Sequence, residues 1–161
     1  MSLTLPDLTI NFQDLDLEDI FSSWQWLLAG QKSLAILSKM GDMFLIGEDN
    51  RVNWLQTGVG TIDKVADSLE DFVQMLADEA NVDNWFLPSL VEELIRVGKL
   101  LKNHEVYSFI NPPILGGDYS VDNFMPVDIS VHFAFAGQIC EQVRNLPDGT
   151  KVNIKYKPAD K

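Results

Sequence analysis

Between Ser33 and Ala66 the chain reads as four consecutive β-prone stretches, "SLAILSKM", "DMFLIGE", "RVNWLQT" and "GTIDKVA", each about the length of one strand. "EDN" separates the second from the third with the acidic and Asn chemistry of a tight hairpin, and "TGVG" joins the third to the fourth. A parallel crossover needs a dozen or more residues, so connections this short dictate an antiparallel meander. No other feature of the sequence restricts the fold as tightly.

Helical patterns flank the meander. Asp16 stands three residues before Asp19 as an acidic capping box, and Ile20, Trp24, Leu27 and Leu28 then recur at helical spacing until Gly30. Trp24 and Trp26 are two apart, so one of them sits at the core edge or on the surface. Downstream, Ser68 caps a helix with Leu69, Phe72, Val73 and Leu76 as its apolar stripe. A further helix starts at Pro88, with Leu90, Leu94, Val97 and Leu101 inward and Glu92, Glu93, Arg96 and Lys99 on a solvated face.

The segment "NHEVYSFINPPILGGDYSVDNF" is too rich in proline and glycine for a helix and too long for a simple turn. "EVYSF" suits a short strand, and Tyr107, Phe109, Tyr119 and Phe124 argue that the rest is packed. "DISVHFAFAGQICEQVRNL" begins as a strand and continues as a helix with Ala136, Ile139, Cys140 and Val143 inward, while Gly137 permits a close approach. The expected architecture is α+β, a single domain over residues 1–161 in which a meander packs with about four helices. Residues 1–15 form an irregular lead-in, and 153–161 a basic tail after an edge strand.

Composition narrows the function classes. A chain of 161 residues with 46% hydrophobic content can bury one sizeable core. Its apolar runs, "WLLAG" and "FAFAG" among them, fall far short of the ~20 residues of a membrane span, and no secretory signal pattern opens the sequence. A soluble cytoplasmic protein with no membrane role is expected. The single cysteine, Cys140, leaves no internal disulfide to form. A net charge of -12 repels nucleic acid and favours cationic partners.

Tests for reactive chemistry return little. Gly58-Val59-Gly60 resembles the start of a phosphate loop, but the Lys-Ser/Thr pair and the third glycine are absent, so the step reads as a turn. His104 and His132 are the only imidazoles, without a Cys cluster or HExxH, and "GEDNRVNWL" lacks calcium-loop spacing. No metal or cofactor is expected. His132 is the one candidate general base, with Glu105 or Asp128 to orient it, against the simpler reading of an interior histidine satisfied by a hydrogen bond. Surface charge is the remaining constellation: Asp14, Asp16, Glu18 and Asp19 crowd one helix start, and Glu48 and Asp49 sit at a hairpin tip. Those six acids are the candidate partner-binding residues.

The run "EVYSFINPPILGGDYSVDN", followed by "VDISVHFAFAGQI", resembles the C-terminal domain of type VI secretion immunity proteins, and "GDMFLIGEDNRVNWLQTGVGTIDKVADSLEDF" is similar to that family's meander and following helix. The likeness spans roughly residues 24–152. It places Glu105, Tyr107, Phe109, Pro113, Leu115, Gly116, Gly117, His132 and Gln138 on the family pattern, with Ser108 departing where glycine is common. Better-known members carry a further GAD-like N-terminal domain, where this chain has a short helical lead-in. A more distant similarity is to the SUKH group of immunity and scaffold proteins.

The resemblance implies a non-catalytic intracellular antidote that binds a basic toxin or effector, often a nuclease, and the acidic balance fits such a partner. Two other readings stand beside it. One is an enzyme or small-ligand protein using the Gly116-Gly117 loop with Glu105, Tyr107 and His132 as a polar pocket wall. The other is a scaffold or homo-oligomer with Trp24, Trp26 or Trp85 at its interface.

Overall fold

A computed structural model describes residues 3–158. Met1 and Ser2 of the lead-in and Ala159 to Lys161 of the tail lie outside the described residues. The meander is present as expected: β2 (Gln31–Ser38), β3 (Met43–Gly47), β4 (Val52–Gln56) and β5 (Thr61–Ala66) pair antiparallel in sequence order. The lead-in is not irregular. It forms α1 (Leu5–Leu8), opened by a Thr4–Asp7 capping box, and β1 (Thr9–Ile10), which adds a fifth strand beside β2.

Side-chain alternation along the strands divides the core in two. On one face Phe44, Val52 and Ala66 pack with Phe72, Trp85, Phe86, Val91 and Leu94 from α3 (Leu69–Met75), α4 (Glu79–Phe86) and α5 (Pro88–Arg96). On the other, Leu34, Leu37, Met43, Leu45 and Leu55 meet Ile20 of α2 (Leu17–Ser22), Trp24, and Ile129, Phe133 and Cys140 of α6 (Ile129–Val143). A small second sheet, β6 (Glu105–Phe109) against β7 (Phe124–Asp128), lies between the clusters: Tyr107 and Phe124 join the first, Val106 the second. This is a single α+β domain with six α-helices among the described residues, two more than the sequence patterns indicate.

Several local expectations change for identifiable reasons. The first helix starts as expected, Asp16 accepting from Asp19 N–H at 3.2 Å, but it ends at Ser22, so Trp24 reaches the core from the following turns. Trp24 is fully buried and Trp26, stacked on it, is half-buried. Ser68 caps α3, yet Leu69 and Val73 are exposed because one short helix buries little beyond Phe72. Helix α4 was not expected. Asp78 caps it, and Leu87 in the left-handed region at φ 52° ends it directly before Pro88. Trp85, on α4, is buried, with 5% of its surface exposed. Beyond α6 no edge strand forms among the described residues. Instead the backbones of Lys155 and Lys157 pair with the side chains of Gln142 and Gln138.

Gly137 makes the anticipated close approach: a Cβ there would lie 2.4 Å from the Ser23 carbonyl. The chain after α2 is thereby pressed onto α6, and Trp24 Nε1 donates to the Phe133 carbonyl at 3.0 Å.

Candidate functional site

The glycines of "TGVG" have a packing role. A Cβ on Gly58 would meet Phe109 at 2.7 Å, and one on Gly60, at φ 74°, would meet Cys140 at 2.7 Å. The β4–β5 turn therefore lies tightly against β6 and α6, and the Gly60 N–H is used within the turn, donating to the Gln56 carbonyl at 2.8 Å.

That turn carries Thr57, which links two ionisable groups. His132, buried on α6, approaches the Gly41 carbonyl with Nε2 at 2.9 Å and Ser108 Oγ with Nδ1 at 2.7 Å. Because a carbonyl only accepts, Nε2 carries the proton and Nδ1 accepts from the Ser108 hydroxyl. Thr57 Oγ1 lies 3.2 Å from Nε2, 2.9 Å from the Gly41 carbonyl and 3.1 Å from Asp42 Oδ1. The one Thr57 hydroxyl proton is shared between two acceptors, the Gly41 carbonyl and Asp42 Oδ1, because the carbonyl has a second lone pair beside the one that His132 uses. Gly41, at φ 84°, permits this contact, since a Cβ there would lie 2.4 Å from Nε2.

Burial pushes His132 down to about 4, the Gly41 carbonyl opposing, so the imidazole is neutral at physiological pH. The expected orienting acids do not reach it. Glu105 accepts from Lys102 N–H at 2.7 Å, and Asp128 caps α6 by accepting from Val131 N–H at 3.2 Å. Strand alternation explains the substitution of partners: Val106 and Ser108 face α6, whereas Glu105, Tyr107 and Phe109 occupy the alternate positions. The space around Ser108, His132 and Cys140 is about 10 Å³, enough for at most one water and for no substrate. Burial also pushes the Cys140 thiol up to about 12, leaving no thiolate at neutral pH.

The family-pattern residues serve different parts of the fold. Tyr107 donates to the Lys99 carbonyl at 2.6 Å, and Phe109 packs on Phe124 with centroids 4.5 Å apart. Gly116 turns at φ 95°, and a Cβ on Gly117 would lie 1.7 Å from the Asn111 carbonyl oxygen. Gln138 holds the Lys157 backbone. Pro113, Leu115 and Gly116 line an open depression of about 840 Å³ against Gly60 and the chain after α6, and Phe109 borders a smaller cleft.

That cleft, about 230 Å³, opens where the β2–β3 turn, the end of β4, α4 and the β6–β7 loop converge. Asp42 lines it with Gln56, Asn84, Trp54, Trp85 and Tyr119. Asp42 Oδ1 accepts from Thr57 N–H at 3.0 Å and Oδ2 from Trp54 Nε1 at 3.1 Å. Burial raises its carboxyl to about 6 against the pull of those hydrogen bonds. Tyr119 is raised too, by burial and by the Asp42 charge beside it. Asp42 escaped the sequence reading because a lone acid between two strands looks like any turn residue.

Among the acidic surface residues, Asp14, Asp16 and Glu18 are exposed, and Asp19 is half-buried, accepting from Ser130 Oγ. Asp14, Asp16, Asp19 and Asp128 border one shallow depression with His104. Glu48 and Asp49 are exposed at the β3–β4 tip, where Asp49 lies 3.8 Å from Arg51. Among the described residues no group of acids, His and Cys is arranged to hold a metal, and no helix is long and apolar enough to cross a membrane.

The part of the chain that carries α4, α5, both strands of the small sheet and nearly all of α6 also carries the sequence match. Residues 66–140 match the family described as T6SS immunity protein Tdi1, C-terminal. The Tdi1 C-terminal match covers just under half of the 161 residues and begins at the last residue of β5, so most of the meander lies before it. No curated protein matches the chain. Among solved structures, the crystal structure of Atu4351 from Agrobacterium tumefaciens is similar at 21% identity and a TM-score of 0.48, covering 75% of this chain. This chain spans 63% of that structure's length.

Proposed function

We propose that this protein is a non-catalytic, immunity-like binding protein of a type VI secretion system, acting in the cytoplasm on a cognate effector. The match of residues 66–140 to the Tdi1 C-terminal family carries the reading. Two features support it. The net charge of -12, with Asp14, Asp16, Glu18, Glu48 and Asp49 in solvent, favours association with a cationic effector such as a nuclease. The Ser108–His132–Thr57 group is enclosed and fully hydrogen-bonded, as a structural node is, with no space for a substrate.

The direct test is coexpression with the effector encoded beside it in its native genome. Restored growth of intoxicated cells and a stable complex on size-exclusion chromatography are expected. Reversing Asp14, Asp16 and Glu18 to lysine should slow association and flatten its salt dependence, because exposed charges act mainly through steering. Absence of both protection and a complex with the wild-type protein would refute the proposal.

A further inference from the structure

The Asp42 cleft combines features that the exposed acids lack. Its carboxylate is substantially desolvated, and among the described residues no lysine, arginine or histidine pairs with it. Two N–H donors are committed to it, Thr57 N–H and Trp54 Nε1–H, and the Thr57 hydroxyl, shared with the Gly41 carbonyl, is the third within reach. A carboxylate offers about four acceptor positions, so at least one is left, on the oxygen that Trp54 shares. Gln56 and Asn84 also border the cleft, and their side-chain amides have no hydrogen bond among the described residues. Trp54, Trp85 and Tyr119 supply aromatic surface around the acid. The Trp54 ring is fixed by stacking parallel to Phe44, with centroids 5.9 Å apart and planes 4° from parallel.

A single anion with at least one open acceptor position, beside aromatic faces and uncommitted amide oxygens, is complementary to a cation carrying several N–H donors. A guanidinium satisfies all three at once: it donates to a carboxylate, stacks on indole or phenol, and donates to amide oxygens. The cleft, at about 230 Å³, is below the ~300–1,000 Å³ of small-molecule sites but has the form of a pocket that receives one interface side chain. We infer that the cleft lined by Asp42, Trp54, Gln56, Asn84 and Tyr119 is a socket for an arginine side chain presented by a protein partner. This rests on the binding role proposed above and locates one anchor of the contact. Exposed acids steer the encounter, and the desolvated Asp42 holds the complex once formed.

The probe is N-acetyl-arginine amide, titrated into the full-length protein and followed by amide and indole chemical shifts. Saturable shifts centred on the Trp54 indole N–H and the Gln56 and Asn84 side-chain amides are expected. N-acetyl-citrulline amide, the uncharged isostere, should not reproduce them. Asp42→Asn should weaken binding about tenfold or more, as loss of a charge-assisted hydrogen bond does. Tyr119→Ala, at a half-exposed position, gives an independent variant with the fold intact and should weaken binding about three- to fivefold.

Absence of saturable shifts, equal binding of the citrulline probe, or no change in either variant would overturn the socket. Preference for free arginine over the capped amide would overturn the protein source in favour of a free metabolite. In complexes with the effector, Asp42→Lys should abolish capture. If capture by that variant is undiminished, the socket falls while the immunity reading stands. If the wild type captures nothing, the immunity reading falls and the arginine titration still decides the cleft.

Discussion

Replacing Trp24 with alanine should cost about 3–5 kcal/mol of unfolding free energy, the range for truncating a large buried aromatic. Trp24 is fully enclosed between the chain after α2, the meander and α6, and its indole N–H donates to the Phe133 carbonyl. Truncation opens a cavity that the neighbours cannot close, because Gly137 already seats the Ser23 carbonyl against α6. The loss also leaves a buried carbonyl with one fewer partner. Against a typical total of about 5–15 kcal/mol, this is a large share. Urea unfolding should show a lower midpoint at an unchanged slope. A loss below about 1.5 kcal/mol would mean that the Trp24 side is loosely packed.

The second large effect concerns pH. His132 is held down at about 4 when folded, against 6.5 for the free side chain. Its contribution is complete above about pH 6.5 and disappears as the pH falls through 4, at most about 3 kcal/mol. Asp42 runs the opposite way. Its folded value of about 6 exceeds 3.8, so the advantage of the neutral acid is complete below 3.8 and disappears as the pH rises through 6, again at most about 3 kcal/mol. Over pH 4–6 the two contributions nearly cancel, and wild-type stability should be flat apart from the surface carboxylates.

Single variants should uncover the slopes. In Asp42→Asn, stability should fall steeply between pH 6.5 and 4. In His132→Gln, which keeps a donor and an acceptor but no titrating proton, stability should rise over pH 6 to 4. Chemical unfolding at half-unit pH steps measures both. Parallel profiles for the two variants would show that the shared Thr57 bridge does not place these groups in opposed environments.

Much of this molecule is legible from residue order. Connection lengths gave the meander, Asp16 and Ser68 marked helix starts, Gly137 announced a close contact, and the absent phosphate-loop residues made "TGVG" a turn. These are local properties, decided within a few residues. Helix α4 was hidden because Leu87-Pro88 divides two helices with no loop between them, and a residue before proline ordinarily leaves the helical region in the extended direction. Lead-in strand β1 was hidden because two residues give no alternation to read.

The site was less visible than the fold. Glu105 and Asp128 are the acids that the sequence offers to orient His132, yet the strand presents Ser108 to α6 in place of Glu105, and Asp128 caps the helix. Ser108, the departure from the family pattern, is the hydroxyl that satisfies His132. Asp42, Trp54, Asn84 and Tyr119 come from four separate elements and no spacing connects them. Sequence alone determined an acidic α+β chain with a meander and no phosphate, disulfide or membrane-span signature, because those follow from composition and short-range geometry. Only the tertiary structure decided which acid is desolvated and which histidine is satisfied, because burial and hydrogen-bond partnership are set by residues that meet across the fold.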